Sequence, residues 1–445
     1  MKRKIGGKAS GLKWLKENTD LGFRVPEFRV IDTSYYDEYA RIQESARLVS
    51  ALASVCSGTE THAFFNPPQR LEERCNAIAK HFSDKGVSVR SSAVVSEDNE
   101  KLSGAGIYDT FFLDAEQITP KSLLEKVLQV YASVNSERAL AYRRENGVEG
   151  EQMAVIVQKL INKVGCRHGV IRSRLPGRSG IIPVSWSDTP GAVVGNLNAR
   201  INTAYFNAKK KRHYGNECIF LEDNSSTEEM HLLDKFLVSL IPGLKERYGK
   251  ELEAEFCFDK KNNRLYLLQI RALTNLSEVP VDFPKHKKAI FRAGLSMGAG
   301  EYIGRVVFPD DVKEGWNEPE HYAFVTPRIG KGEEATQAYY SREIKRQGRE
   351  IKKDMDILTP RKKAIILTYD DSFATHALTI ANEKGILCVS INRNPRSRRD
   401  YDEIMKRAGP YVHIVSDGLV GRVYQATQEE AEDFNQRVAP QMARI

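Results

Sequence analysis

The chain has 445 residues, 41% hydrophobic and 28% charged, with a formal net charge of +8. Such a length predicts roughly two to four domains, and the composition excludes a largely disordered chain. The longest apolar run, Leu237 to Ile241, stops at Pro242, far short of the roughly 18 residues that span a bilayer. The charged start Met1 to Ile5 has no apolar stretch behind it, which predicts no signal peptide, no membrane contact and a cytoplasmic protein.

Six cysteines lie scattered without a CxxC pair, so neither a zinc site nor a disulfide framework is expected. Basic clusters stand at Lys209 to His213, Arg342 to Lys353 and Arg396 to Arg399, without interleaved aromatic residues. Solvated basic faces are their commoner meaning, and no nucleic-acid motif accompanies them.

From Lys8 to about Thr274 helical and strand-like patterns alternate, as in an α/β unit. Ile5-Gly6-Gly7-Lys8-Ala9-Ser10-Gly11 opens a helix expected to start after Lys8. Glycines beside a lysine at a helix start suit a phosphate, although an ordinary glycine-rich helix entry is commoner. Val87 to Val89 reads as a strand ending in Arg90, whose planar donor fork suits phosphate oxygens or a surface carboxylate. Leu124, Val127, Leu128, Tyr131 and Val134 mark an amphipathic helix, and Met153 to Gln158 a strand. Ser226 and Glu229 have capping-box spacing before a helix towards Gly249, which Pro242 should kink or split. Leu252 to Phe258 and Arg264 to Ile270 alternate around a turn-like Asp259 to Asn263. Pairing Phe258 with Arg264 puts Glu253 opposite Gln269. Glu253, Glu255, Gln269 and Arg271 then share one face. Two carboxylates at i and i+2 could hold Mg²⁺ on phosphates, or simply form a polar outer face.

Residues 275–288, with Pro280, Pro284 and Lys285-His286-Lys287-Lys288, read as a linker. A second unit spans about 289–427, with strands expected at Gly304 to Phe308, Ala364 to Thr368 and Tyr411 to Val415. Gly298 to Gly304 reads as a turn before a strand, Arg342 to Asp356 as a charged helix, and 428–445 as a solvated helical tail. His376 stands where a polar loop enters a short helix, a position suited to nucleophilic work or to ordinary capping.

In this order the segments resemble the phosphoenolpyruvate synthase and pyruvate phosphate dikinase family. The opening Gly6-Gly7-Lys8 and Gly22 to Pro26 are similar to its GGK…L and G…VP patterns. Val89-Arg90-Ser91-Ser92-Ala93, Glu97-Asp98, Gly104-Ala105-Gly106 and Asp109-Thr110-Phe111 follow its VRSSA…ED…FAG…TF. Glu253-Ala254-Glu255-Phe256 stands for DIEW and Leu268-Gln269-Ile270-Arg271 for LQxR. Thr375-His376-Ala377 resembles its phosphohistidine motif, and Ser416-Asp417-Gly418…Gly421-Arg422-Val423-Tyr424 its closing VDG…G.VY. Glu253 replaces an aspartate, Asp371-Ser372 replaces Gly-Gly, and no GLGE segment is recognisable.

The resemblance implies an ATP-grasp nucleotide-binding domain over 1–274 and a smaller swivelling phosphohistidine domain over 289–427. It implies ATP and Mg²⁺, with Lys8, Arg90, Gln269 and Arg271 on ATP, Glu253 and Glu255 on the metal, and His376 as nucleophile. ATP would be cleaved to AMP through a pyrophosphohistidine. No pyruvate-binding barrel follows Tyr424 in this sequence, so the expected acceptor is not pyruvate bound in this chain. It would be a small molecule or be held by a partner subunit. The competing readings are a degenerate ATP-binding regulator, one subunit of a multi-subunit synthase, and a basic nucleic-acid-binding protein.

Overall fold

Helix α1 (Gly6–Glu17) begins at the glycines themselves, three residues before the expected start, and buries Ala9, Leu12 and Leu15 at helical spacing. In this computed structural model the described residues are 4–57, 67–97, 102, 106–161, 165–175, 179–191, 193, 201–212, 215–220, 227–273, 276, 281–293, 295–307, 322–326, 362–367, 386–390, 407–418 and 420–442. They form two compact units, Met1–Cys166 with Asp259–Arg271, and Arg167–Phe258 with Ala272–Ile445.

The first unit carries strands β1 (Phe28–Ile31), β2 (Val87–Ala93), β3 (Thr110–Leu113) and β4 (Met153–Lys159) in the order β1-β4-β2-β3, all antiparallel. Helices α2 (Thr33–Ser57), α3 (Gln69–His81), α4 (Pro120–Ala132) and α5 (Glu137–Glu145) complete it. Thr119 and Ser122 cap α4 reciprocally, and Pro120 sits in its first turn, where no N–H is needed. Its buried face is Leu123, Val127, Val130 and Tyr131, rotated slightly from the expected face through Leu124 and Leu128. This face meets Leu71, Cys75 and Ile78 of α3 in the core.

In the second unit β5 (Cys166–Arg172), β6 (Ile181–Ser187), β7 (Asn202–Arg212), β8 (Gly215–Phe220) and β9 (Leu252–Asp259) run in the order β9-β5-β6-β7-β8. The Lys209 to Arg212 cluster therefore lies in a strand. Helix α6 (Thr227–Phe236) ends before a 3₁₀ turn, and α7 (Ile241–Tyr248) restarts with Pro242 in its first turn. The proline splits the helix as expected, and left-handed Gly249 ends it. Strand β10 (Arg264–Ala272) belongs, through Arg271, to the first unit.

An eight-stranded sheet follows in the second unit. Its strands are β11 (Phe291–Ala293), β12 (Leu295–Met297), β13 (Ala299–Val307), β14 (Tyr322–Thr326), β15 (Lys362–Leu367), β16 (Leu387–Ser390), β17 (Tyr411–Asp417) and β18 (Gly421–Gln425). Their order is β11-β18-β17-β13-β14-β15-β16-β12, with β13 to β16 mutually parallel. Two expectations change here. Ala299 and Gly300 are strand, not turn, because backbone pairing to Asp417 and Ser416 needs no side chain. The tail helix α8 (Gln428–Met442) is not wholly solvated. Its narrow stripe, Ala431 and Phe434, is buried in the same core as Tyr302 and Ile414. Phe434 meets the Tyr302 ring edge-on at 6.0 Å. The expected charged helix at Arg342 to Asp356, the Ser226 cap and the segment around His376 lie outside the described residues. No helix among the described residues is long and apolar enough to cross a membrane.

His168 on β5 is buried, with Cys257 Sγ 3.9 Å from its Nε2. Burial pushes this imidazole down to about 4 from an ordinary value of 6.5. The unfolded chain gains a proton near 6.5 that the folded chain refuses. The group's contribution to stability is therefore full above 6.5 and lost as pH falls towards about 4. We expect His168→Gln to flatten the fall in urea midpoint over that window. An equally steep fall in the variant counts against it.

Candidate functional site

The end of β2 and the start of α1 are joined by Ser92. Its Oγ accepts the Ala9 N–H at 3.0 Å and donates to the Ile5 carbonyl at 2.7 Å. Gly6 adopts φ +73°, and a Cβ there would lie 2.1 Å from the Ser92 carbonyl oxygen. Only glycine allows that approach. Two residues on, Lys8 turns inward. Its Nζ donates to Glu97 Oε1 at 2.6 Å and to Ser91 Oγ at 3.1 Å. The Glu97 side chain is fully buried.

Arg90, next along β2, donates from Nη2 to Gln269 Oε1 at 2.6 Å. Gln269 is held on β10, which docks on the first unit through backbone bonds from Arg24 to the Leu265 carbonyl and from Leu267 to the Arg24 carbonyl, each 2.9 Å. Gln158 Nε2 also donates to the Leu268 carbonyl at 3.4 Å. Arg271, two residues on, is buried as well. Lys8, Arg90, Gln269 and Arg271 thus all belong to the first unit, and the polar side of β10 is not a solvent-facing surface. Amide, guanidinium and ammonium groups in a largely desolvated setting are the donor set an anionic ligand requires.

Glu253 and Glu255 lie on β9 of the second unit, the first buried and the second half-buried. Glu253 accepts a bond from Arg172 Nε at 2.6 Å, and Arg172 is itself 2% exposed. The next residue, Ser173, receives the Leu252 N–H at 2.8 Å and donates to Glu251, fixing the start of β9. No group of three or more His, Cys, Asp or Glu side chains among the described residues could hold a metal unaided. Magnesium is commonly held by one or two carboxylates together with substrate phosphates, so the β9 pair fits that donor chemistry. His376, the expected nucleophile, lies outside the described residues.

Several contributors carried little signal. Glu97 stood in a recognisable Glu-Asp pair, but nothing in its spacing announced a partner for Lys8. Arg172 lies in a strand that hydrophobic alternation did not mark, since its pattern is buried almost throughout. Removing one member of a buried ion pair leaves an uncompensated charge. We expect Arg172→Met to destabilise the fold by about 3–5 kcal/mol, with much of the loss recovered by adding Glu253→Gln. Urea unfolding of the two variants tests this. A single variant as stable as the parent would show that the pair contributes nothing.

Residues 2–289 match the family described as pyruvate phosphate dikinase, AMP/ATP-binding domain. A probable phosphoenolpyruvate synthase of Pyrococcus abyssi is 22% identical over 433 residues, covering 89% of this chain and 47% of that protein. A rifampicin phosphotransferase of Streptomyces sp is 25% identical over 329 residues, covering 66% of this chain and 36% of that protein. Among solved structures, D-alanyl-alanine synthetase A of Vibrio cholerae overlaps 60% of this chain and 55% of its own, with 8% identity and a TM-score of 0.26. The chain spans about half the length of the Pyrococcus synthase it matches. The matched span takes in Lys8, Arg90, Glu253, Glu255, Gln269 and Arg271, and the chain belongs to the pyruvate phosphate dikinase AMP/ATP-binding domain family.

Proposed function

We propose that this protein is an ATP-dependent phosphotransferase of the phosphoenolpyruvate synthase and dikinase type. In this reading residues 1–274 form an ATP-grasp domain, and residues 289–427 a swivelling domain that bears the phosphorylated histidine. The observation that carries it is the gathering of Lys8, Arg90, Gln269 and Arg271 in one unit, within the span matched to an AMP/ATP-binding family. Lys8 and Arg90 bind phosphate oxygens, Gln269 orients the Arg90 fork, and Arg271 offsets phosphate charge. Glu253 and Glu255 hold Mg²⁺, which when bound neutralises charge on the phosphate chain.

A neutral ring nitrogen of His376 attacks the β-phosphorus of ATP. The bond to the α,β-bridging oxygen breaks, and AMP leaves with that electron pair. The pyrophosphoryl group stays on the histidine. Water or inorganic phosphate attacks the terminal phosphorus and takes that phosphoryl group, the bond to the β,γ-bridging oxygen breaking with its electron pair left on the phosphohistidine, which then passes its phosphoryl group to an acceptor. In sequence His376 follows the carboxyl end of β15, a strand inside a parallel run. Catalysis of this kind is positioning and charge neutralisation, for which this inventory of cations and carboxylates is suited.

The product nucleotide tests the proposal. Incubation with Mg·ATP should release AMP and leave an acid-labile label from β-phosphate on His376. His376→Ala should abolish both while Mg·ATP still binds. Label at the parent level in that variant would remove His376 from the reaction, and an absence of any nucleotide product in the parent would favour a regulatory ATP-binding protein.

Glu255→Gln should lower Mg·ATP turnover with the thermal midpoint nearly unchanged, because a half-buried polar exchange costs little stability. Turnover unchanged at saturating Mg²⁺ would take Glu255 out of the metal site.

A further inference from the structure

Every contact the structure gives the Glu97 side chain comes from a group able to donate. Oε1 accepts Lys8 Nζ at 2.6 Å and the Ser91 hydroxyl at 2.9 Å, and Oε2 accepts the Ala93 N–H at 2.8 Å. Behind it stands a second buried carboxylate. Glu151 Oε1 accepts the N–H groups of Val94 and Val95, and Oε2 that of Ser96, each at 3.0 Å. Tyr108 donates to Glu151 Oε2 at 3.3 Å and lies 2.7 Å from Ser96 Oγ. Burial, reinforced by the Glu151 charge, raises the Tyr108 phenol well above its ordinary range, so it remains a donor. Three consecutive backbone N–H groups aimed at one carboxylate form an anion nest. The nest fixes the turn 94–96, the turn fixes Glu97, and Glu97 fixes the Lys8 ammonium.

An amide could not replace the Glu97 carboxylate. A glutamine would have to point its NH₂ either at the Ala93 N–H or at the Lys8 ammonium, donor against donor. A flexible lysine loses side-chain freedom on engaging a ligand, and a pre-held ammonium has already met that cost. We propose that Glu97, itself held by the Glu151 nest, is a positioning residue that fixes Lys8 for the phosphates of the nucleotide. It acts through Lys8 and touches no reacting atom. The inference rests on Lys8 being an ATP contact.

A double-mutant cycle with the full chain tests it, reading the Kd for Mg·ATP by calorimetry. Glu97→Gln should weaken binding about tenfold, the equivalent of one charge-assisted hydrogen bond. In a Lys8→Met background the same change should alter Kd by less than about twofold, because a residue that acts only through Lys8 has nothing left to position. Equal weakening in both backgrounds would make Glu97 merely structural. Unchanged or tighter binding in the parent background would equally overturn the proposal. A Lys8→Met variant that binds Mg·ATP like the parent would refute the ATP-contact assignment itself, and not the coupling.

Should the charge variants fail to fold, the parent and Ser91→Ala decide by the rate at which an amine-acylating reagent modifies Lys8, mapped by mass spectrometry. Loss of the bridging hydroxyl should raise that rate several-fold, and an unchanged rate would overturn the proposal. Protection of Lys8 by Mg·ATP in the parent tests the underlying assignment separately.

Discussion

Two backbone contacts on α1 set the geometry of the first unit. At Gly6 the helix meets the Ser92 carbonyl, and at Gly11 it meets Ile270, where a Cβ would lie 2.6 Å from the carbonyl oxygen. The helix is therefore pinned to the end of β2 on one flank and to β10 on another. Lys8 sits between the two pins. Its position is dictated by main-chain packing, which side-chain flexibility cannot relax. Because β2 presents Arg90 and β10 presents Gln269, the same two contacts bring together groups almost the whole unit apart in sequence.

Three of the buried carboxylates among the described residues are accommodated in three different ways. Glu97 faces an ammonium, Glu151 faces a row of backbone amides, and Glu253 faces a guanidinium. Burying a carboxylate without such partners would cost several kcal/mol or force it neutral. The solutions differ in what they permit. An amide nest belongs to the fold and cannot be drawn away by a ligand. A lysine or arginine can divide its donors between a carboxylate and an incoming phosphate. The rigid solution lies behind Glu97, the carboxylate whose cation, Lys8, is a proposed nucleotide contact.

Much of this was legible in the sequence, for identifiable reasons. The helix at Lys8, the strand before Arg90 and the strands around Asp259 to Asn263 have strong local patterns, and the order of weak motifs pointed to the family. The C-terminal helix itself is legible, but its buried stripe is not, because Ala431 and Phe434 alone are swamped by charged neighbours. Strand β7 was hidden because Lys209 to Arg212 resembles a solvated cluster, while its ladder partners lie in another segment. Glu97, Glu151 and Arg172 escaped because buried polar pairing depends on tertiary proximity. No period of 2 or 3.6 encodes a contact made across 81 residues, as between Arg172 and Glu253.

The first unit also draws on two stretches of chain, with residues 167–258 emerging between them. A ribosome adds roughly 5–20 residues each second. For many seconds the nascent N-terminal part therefore exists without β10, and with it without Gln269, Arg271 and the carbonyl against which Gly11 rests. During that interval α1 has a bare flank and Arg90 lacks its amide partner. The part already made lacks these groups, so the first unit's full donor set waits on the synthesis of residues 167–258, the stretch of the second unit that precedes β10 in the chain.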